Sequence, residues 1–294
     1  MNSSRDQHRR LIIRAGAGAL GASLLPALAQ PAGKAIRIGT TPVFLDDQLG
    51  FLEAWKLDLQ ARLQYPVTFV QRKSYREVTE LLLDGVLDCA WLCGYPYVRF
   101  HDRLQLVVVP SFNGAPLYQS YMIVPADAPA PASLLDMRDR SFAFSDPLSN
   151  SGFLVPRHVL FAGGVDPDRH FGRTLFTWSH RKVVEAVAIG LVAGGAVDGY
   201  VWETLAKEYP ALAEKTRVAW KSRTFGFPPI VASRKASPEL TQSLRAAFLG
   251  MAGDAQGRQL LAQLNLSGFV TAKDRLFEPI ERMMQDLASA GKLQ

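Results

Sequence analysis

The chain has 294 residues, of which 48% are hydrophobic and 20% are charged, a composition typical of a globular protein with ample core. The length predicts about two domains of ~150 residues each. The formal net charge is +6, but no basic stripe is interleaved with aromatic residues. The composition therefore argues against nucleic-acid binding.

The first 29 residues are predicted to be an export signal. Arg9 and Arg10 stand in a basic start, a small and apolar run follows over residues 15–28, and Ala27 and Ala29 form a small-x-small cleavage site. The paired arginines resemble a twin-arginine signal, and a general secretory signal is the alternative. We expect cleavage after about Ala29 and a periplasmic location. Four arginines and one aspartate fall in this segment, so the remaining chain has a net charge of +3.

Cys89 and Cys93 are the two cysteines of the chain. On a strand over residues 88–93 they would project from one face, roughly 13 Å apart, which is too far for a disulfide. We interpret both as buried small apolar residues. Further ligands are missing from the neighbouring sequence, so we expect no metal site, and we expect no cofactor.

Strand and helix signals alternate along the first third of the chain. Ser74 and Glu77 form a capping-box pattern at the start of one helix, and Gly85 is predicted to end it. The predicted elements are a strand over residues 34–39, a helix over 48–63, a strand over 67–70, a helix over 74–84, a strand over 88–93, a turn over 94–96 and a strand over 104–109. This βαβ alternation favours a parallel sheet with helices on its faces.

A second and similar unit begins near Tyr118. Its predicted elements are a strand over 119–125, a loop over 126–133, a short helix over Leu134–Met137, a strand over Ser141–Phe144, a helix ending near 160, a strand over 174–177, a helix over 180–193 and a strand over 197–201. A return strand over 228–233 and helices over 238–252, 255–264 and 276–290 complete the chain.

The first candidate site is the run Ser149-Asn150-Ser151-Gly152, which follows a strand and opens a helix. Such a loop presents backbone amides and the positive end of the helix dipole, which together suit an oxyanion. Ser149, Asn150 and Ser151 add side-chain donors, and Gly152 permits a close approach of the backbone. Plain N-capping without a ligand is the alternative.

Two further groups, one at another helix start and one in the first unit, could contribute to the same site. Ser179 and His180 stand at another predicted helix start, where the imidazole could donate to an anion. Tyr75 and Tyr95 each follow a strand of the first unit, and loops at the carboxyl ends of parallel strands share one edge of a sheet. A surface or capping histidine and partly buried tyrosines are the alternatives.

Asp198, with Trp202 and Glu203, is predicted at the end of a strand of the second unit. A carboxylate in this place could bind an amine of a ligand, or fix a hydroxyl or a histidine. A solvated charge is the alternative.

The run over residues 146–156 resembles the Asp-x-x-Ser-Thr-Ser-Gly-x-x-x-Pro motif of the periplasmic binding proteins of ABC transporters for phosphate, phosphite and phosphonate. Ser179-His180, Val197-Asp198-Gly199 and the first-unit blocks that contain Tyr75 and residues 83–92 follow in the order and spacing of that family. The resemblance covers about residues 35–290.

This resemblance implies an α/β fold, the two-lobed type II periplasmic binding protein with two hinge crossovers. The first lobe would comprise residues 30–118 and 226–294, and the second lobe residues 119–225. By the same resemblance, Ser149, Asn150, Ser151 and His180 would hold an anionic head group. Tyr75 and Tyr95 would close from the other lobe, and Asp198 would contact the rest of the ligand.

The resemblance further implies a small anionic ligand and a partner at the inner membrane, either an ABC permease or a sensor kinase, and we expect a monomer. Asn150 replaces the threonine of the family motif, which leaves another oxyanion or a carboxylate ligand open. An enzyme is an alternative, because Ser149 or Ser151 with His180 and Asp198 has the residue types of a triad, but the loop lacks a Gly-x-Ser-x-Gly elbow. A cytoplasmic regulatory domain would need a DNA-binding helix pair where the export signal stands.

Overall fold

The structure, a computed structural model, describes residues 35–42, 49–129 and 131–293. The predicted export signal over residues 1–29 lies outside the described residues. Among the described residues, no helix is both long enough and apolar enough to cross a membrane.

One sheet has six strands in the order β11-β4-β10-β3-β1-β2. Its strands are β1 (Ile36–Thr40), β2 (Val67–Gln71), β3 (Cys89–Trp91), β4 (Leu104–Ser111), β10 (Ile230–Ser233) and β11 (Gly268–Val270). Strand β1 pairs in parallel with β2 and β3, whereas β10 runs antiparallel between β3 and β4. The prediction of a parallel sheet is therefore right for β1 to β3. It is wrong for β10 and β11, which come from the last third of the chain and run antiparallel to their neighbours.

Among the described residues, six helices come from the same parts of the chain as these strands. They are α1 (Leu49–Leu63), α2 (Tyr75–Leu83), α3 (Gly94–Arg99), α8 (Pro238–Gly250), α9 (Ala255–Gln263) and α10 (Glu278–Ser289). Helix α2 forms as its sequence predicts, because the Ser74 hydroxyl accepts a hydrogen bond from the amide of Glu77 at 3.3 Å and Gly85 adopts a φ of 73°. Val78 and Leu82 on its apolar face are fully buried, so packing against the sheet fixes the helix.

The second sheet has five strands in the order β7-β6-β8-β5-β9. They are β5 (Leu117–Pro125), β6 (Ser141–Phe144), β7 (Arg173–Phe176), β8 (Gly194–Asp198) and β9 (Thr216–Gly226). Strands β6, β7 and β8 are parallel, and β5 is antiparallel to both β8 and β9. The helices of this half are α4 (Val155–Ala162), α5 (His180–Ala188), α6 (Gly199–Glu208) and α7 (Pro210–Ala213).

The chain crosses between the sheets twice, from β4 to β5 and from β9 back to β10. The crossovers lie side by side, because the amide of Phe227 donates to the carbonyl of Pro116 at 2.9 Å. The second sheet reaches slightly beyond residues 119–225, since β5 begins at Leu117 and β9 ends at Gly226. The limits of the two lobes stay a prediction.

Three local predictions are wrong. The turn over 94–96 is the start of helix α3, with Cys93 as its N-cap residue. The helix over 180–193 ends at Ala188, because Gly190 turns the chain with a φ of 71°. The strand over 197–201 ends at Asp198.

Two long elements were not predicted at all. Helix α6 starts directly after Asp198, because the carboxylate of this residue accepts a hydrogen bond from the amide of Tyr200 at 2.9 Å and caps the helix. The eleven-residue strand β9 lies in a stretch that showed no clear alternation of apolar and polar residues.

Candidate functional site

The serine-rich loop leaves the carboxyl end of β6 and enters helix α4 through one π-helical turn, Asn150–Leu154. Ser149 is the N-cap residue, and its hydroxyl accepts a hydrogen bond from the amide of Gly152 at 2.9 Å. The amide of Leu154 reaches back five residues to the carbonyl of Ser149 at 3.0 Å. Such π-helical turns recur at functional sites because they widen the helix locally.

Gly152 brings this loop against the start of helix α5. A Cβ atom at position 152 would lie 1.9 Å from Ser145 Oγ and 3.1 Å from His180 Cε1. Only glycine allows this approach without displacing a neighbour. The structure thus brings the two helix starts of the second lobe together.

His180 is the first residue of α5 and is 1% exposed. Its Nδ1 atom accepts a hydrogen bond from the backbone amide of Asp198 at 3.1 Å, so the ring proton sits on Nε2. Burial lowers the pKa of the imidazole to about 3. His180 is therefore a neutral donor through Nε2 at physiological pH.

Asp198 ends strand β8 and is 2% exposed. Burial raises the pKa of its carboxyl to about 8, against the lowering effect of backbone hydrogen bonds from Tyr200 and Val201. The side chain caps helix α6, and the backbone amide orients His180. Trp202 Nε1 donates to Thr216 Oγ1 at 3.1 Å, and Glu203 accepts from the hydroxyl of Tyr121; the charge of Glu203 also contributes to the raised pKa of Asp198.

Ser145, Asn150 and Ser151 carry buried polar atoms that have no hydrogen-bond partner within the described part of the chain. These atoms are Ser145 Oγ, Asn150 Oδ1 and Ser151 Oγ. All three residues are at most 1% exposed. A buried polar group without a partner costs about 1–3 kcal/mol, so three of them in one loop favour a site that a polar ligand completes.

The remaining polar groups of the loop are paired with residues that the sequence did not identify. Asn150 Nδ2 donates to the hydroxyl of Tyr118 at 2.9 Å, and the amide of Asn150 donates to Cys93 Sγ at 3.2 Å. The hydroxyl of Ser120 donates to the carbonyl of Ser151 at 2.6 Å. Cys93 is thus a hydrogen-bond acceptor next to the loop, which corrects its interpretation as a purely apolar residue; both cysteines are free, as predicted.

Asp146 connects the loop to the other lobe. Its Oδ2 atom accepts from the amide of Tyr75, the first residue of α2, at 3.0 Å, and its Oδ1 atom accepts from the amide of Leu148 at 2.7 Å. Burial raises the pKa of this carboxyl, and the two backbone bonds and the charge of Arg76 oppose the rise. A carboxylate at a helix start is electrostatically favourable, so this contact holds the lobes together.

The two predicted tyrosines differ in position. Tyr75 is 1% exposed, and burial raises the pKa of its phenol well above the ordinary value, with smaller contributions from Cys93, Asp146, Asp198 and Tyr118. Its side chain therefore lies in the same buried group as the loop.

The hydroxyl of Tyr95 points elsewhere. It accepts from Arg99 of its own helix at 3.3 Å, and the side chain lines a separate cavity of about 490 Å³ with Arg76 and Arg157. The structure pairs this hydroxyl with Arg99 because residue 95 belongs to helix α3 and not to an open turn, and Pro147, Leu148 and Phe153, on either side of the serine loop, line the same cavity.

Among the described residues, no group of three or more histidine, cysteine or acidic side chains is arranged to hold a metal ion. The groups around the loop are hydroxyls, an amide, a thiol and a neutral imidazole, together with the buried carboxyl groups of Asp146 and Asp198. Uncharged donors of this kind stabilise an oxyanion without a buried counter-charge, and the helix dipole adds to them.

Two α/β halves joined by two crossovers, with a polar site where they meet, define a two-lobed type II periplasmic binding protein. The sequence matches the family of periplasmic substrate-binding proteins of ABC phosphonate transporters over residues 38–277, and the chain belongs to this family. Members of the family are periplasmic proteins of transport systems.

Known proteins agree with this assignment. The phosphonates-binding periplasmic protein of Escherichia coli K12 is 25% identical over 274 residues, which span 90% of this chain and 80% of the relative. A binding protein component of an ABC phosphonate transporter from Pseudomonas aeruginosa has a TM-score of 0.78 and 27% identity, with 85% of both chains covered. PhnD1 from Prochlorococcus marinus in complex with methylphosphonate has a TM-score of 0.78 and 20% identity, with 88% of this chain and 99% of that chain covered.

Proposed function

We propose that this protein binds a small tetrahedral oxyanion, a phosphonate, phosphite or phosphate, between its lobes and delivers it to an ABC permease. The observation that supports this most is the meeting of two helix starts at Gly152, where Ser145 Oγ and the ring of the neutral His180 lie next to the Cβ position, in a loop whose Ser145 and Ser151 hydroxyls are buried without a partner among the described residues. The family and the methylphosphonate complex of PhnD1 support the same ligand class.

The proposed binding energy comes from uncharged donors. Ser149, Ser151 and His180 Nε2 each offer one hydrogen to the anion, and a hydrogen bond to a charged group is worth about 1.5–3 kcal/mol. The start of the loop helix adds its dipole. Loss of translational freedom and ordering of side chains offset part of this gain.

Closure of the lobes would then distinguish the ligand-bound protein from the free protein. Two hydrogen bonds already cross between them near the loop, from the amide of Tyr75 to Asp146 and from the amide of Asn150 to Cys93. Both involve residues adjacent to the proposed anion site, so ligand binding and closure would stabilise the same arrangement. A permease could recognise that closed form.

A binding role is favoured over catalysis by the tautomer of His180. A Ser-His-Asp triad needs Nδ1–H donated to the aspartate carboxylate and a free Nε2 that accepts the serine proton. Here Nδ1 accepts from the backbone amide of Asp198, and the Asp198 carboxyl group caps helix α6. We therefore infer that the protein is not an enzyme.

We further infer that the protein acts in the periplasm, as a monomer, after removal of residues 1–29. A sensor kinase in place of a permease is the alternative partner. The proposals for the partner and for the cleaved signal rest on the family and the sequence, and not on the geometry of the binding site.

Calorimetric titration of the purified protein with methylphosphonate, phosphite, phosphate and a small carboxylate tests the proposal. We expect binding of at least one phosphorus oxyanion and its loss in the Ser149→Ala/Ser151→Ala double variant. Ser243→Ala on helix α8 is the matched control, because this serine is exposed and distant in sequence from the loop. Equal affinity in the double variant and the control would exclude the loop from the site.

A further inference from the structure

Asn150 presents an acceptor to the proposed site. The residue is fully buried, and its Oδ1 atom has no hydrogen-bond partner among the described residues. The side-chain amide is held by its other end, because Nδ2 donates to the hydroxyl oxygen of Tyr118 at 2.9 Å.

The network behind Asn150 fixes this orientation. The hydroxyl oxygen of Tyr118 accepts the hydrogen bond from Asn150 Nδ2, and Cys93, which accepts from the backbone amide of Asn150, lies beside both residues. An amide oxygen cannot donate, so the end of the Asn150 side chain that faces Tyr118 is its NH₂ group. The carbonyl oxygen of Asn150 must then lie on the side away from Tyr118.

The other polar groups around the loop either can both donate and accept a hydrogen bond or can only donate one. Ser145 and Ser151 carry hydroxyls that rotate and serve as donor or acceptor. His180 is a fixed donor through Nε2, since Nδ1 is occupied by the amide of Asp198. Asn150 Oδ1 is therefore the one group in this set that can only accept.

We propose that Asn150 selects oxyanions that carry a hydrogen of their own, so that the site discriminates protonated phosphorus oxyanions from sulfate and sulfonates. This inference rests on the proposed function of the loop as the anion site. A phosphonate monoanion, hydrogenphosphate or phosphite monoanion has a P–O–H group that can donate to Asn150 Oδ1. Sulfate and sulfonates have no such hydrogen near neutral pH.

The physical cost is a buried acceptor placed against an anionic oxygen. An unprotonated ligand would leave Asn150 Oδ1 unpaired in a site from which water is excluded, and two oxygens with partial negative charge would face each other. Leaving one buried acceptor unpaired corresponds to a loss of roughly tenfold to a hundredfold in affinity.

Methylphosphonate and methanesulfonate form a matched pair, because both are small tetrahedral anions with one methyl group and only the first carries an acidic hydrogen near neutral pH. Calorimetric titration of the full mature protein at pH 6.5 should show a preference for methylphosphonate of at least about tenfold. In Asn150→Thr the rotatable hydroxyl can donate, so the preference should shrink to a few-fold.

Tyr118→Phe provides a second variant that keeps the side-chain volume. It removes the oxygen that holds Nδ2, so the amide is free to turn, and the preference should shrink as in Asn150→Thr. Thermal unfolding of each variant checks that it is folded, and the ratio in the wild type stands without either variant.

The outcomes separate the two proposals. Absence of binding for both ligands and for phosphate would contradict the proposed function. Equal binding of both ligands by the wild type would overturn the role of Asn150 and leave the proposed function standing. A preference that is unchanged in both folded variants would likewise overturn it, because another group would then make the selection.

Discussion

Replacement of Gly152 by alanine tests whether the two helix starts must touch. The added Cβ would lie 1.9 Å from Ser145 Oγ, 2.8 Å from Ser145 Cβ and 3.1 Å from His180 Cε1. The first distance is far inside van der Waals contact, and Ser145 is fully buried, so it cannot turn into solvent. The two ends of the loop, at Ser145 and Gly152, must therefore move apart.

Overpacking of this kind costs about 1–3 kcal/mol of stability. The displacement should also separate the donors of the loop from His180, so we expect methylphosphonate affinity to fall at least tenfold. Urea unfolding gives the stability change, and calorimetry gives the affinity.

Gly50→Ala is the control, because glycine 50 is exposed in helix α1 and its Cβ position meets nothing within 4 Å. Alanine is the better helix former, so this variant should keep its ligand affinity and gain up to about 1 kcal/mol. Wild-type affinity in a folded Gly152→Ala variant would refute the requirement for close contact at this point.

Three further predictions concern buried titratable groups. Because the pKa of His180 falls from 6.5 unfolded to about 3 folded, its contribution to stability is complete above pH 6.5 and is lost as pH falls; at pH 5 the loss is about 2 kcal/mol. Nitrogen NMR should show the Nε2–H tautomer from pH 5 to 8, and an imidazolium signal at pH 6 would contradict this. Because the pKa of Asp198 rises to about 8 in the folded protein, wild-type stability should fall as pH rises toward 8. The Asp198→Asn variant retains an N-cap residue and should show a flatter dependence of stability on pH in urea unfolding. Identical pH profiles for the two proteins would refute the pKa shift. Burial raises the pKa of both thiols, to about 11 for Cys93. Ellman's reagent should therefore react with Cys89 and Cys93 only after unfolding. Rapid reaction of the native protein would contradict their burial.

Local signals predicted those parts of the fold that depend on neighbouring residues. The cap at Ser74 and the stop at Gly85 are properties of short segments, and helix α2 lies between them. The serine loop was located in the same way, because a strand, a hydroxyl-rich turn and a helix follow one another within about twenty residues. Contacts between segments that are distant in the sequence were harder to predict.

Tyr118 shows why part of the site could not be predicted. It lies at the start of β5, and this strand runs antiparallel to β8, with Ser120 opposite Asp198. The start of one strand thus reaches the edge where the other ends, and a rule based on parallel strands does not find it. Cys93 was missed for a related reason, since its sulfur meets the amide of Asn150 only after the two lobes come together.

Ser145 could have been found from the sequence. It directly follows the predicted strand Ser141–Phe144, at the same carboxyl end that placed Ser149 in the site. Tyr95 satisfied a similar positional rule, but the helical conformation of residues 94–99 directs its hydroxyl to Arg99. Position after a strand therefore identifies candidates, and local backbone conformation decides where their side chains point.

A crystal structure of the protein grown with methylphosphonate tests the central claim most directly. We expect the phosphorus atom beside Gly152, with ligand oxygens about 2.7–3.2 Å from Ser151 Oγ and His180 Nε2. A ligand in the cavity between Tyr95 and Arg157, with the serine loop unoccupied, would contradict it.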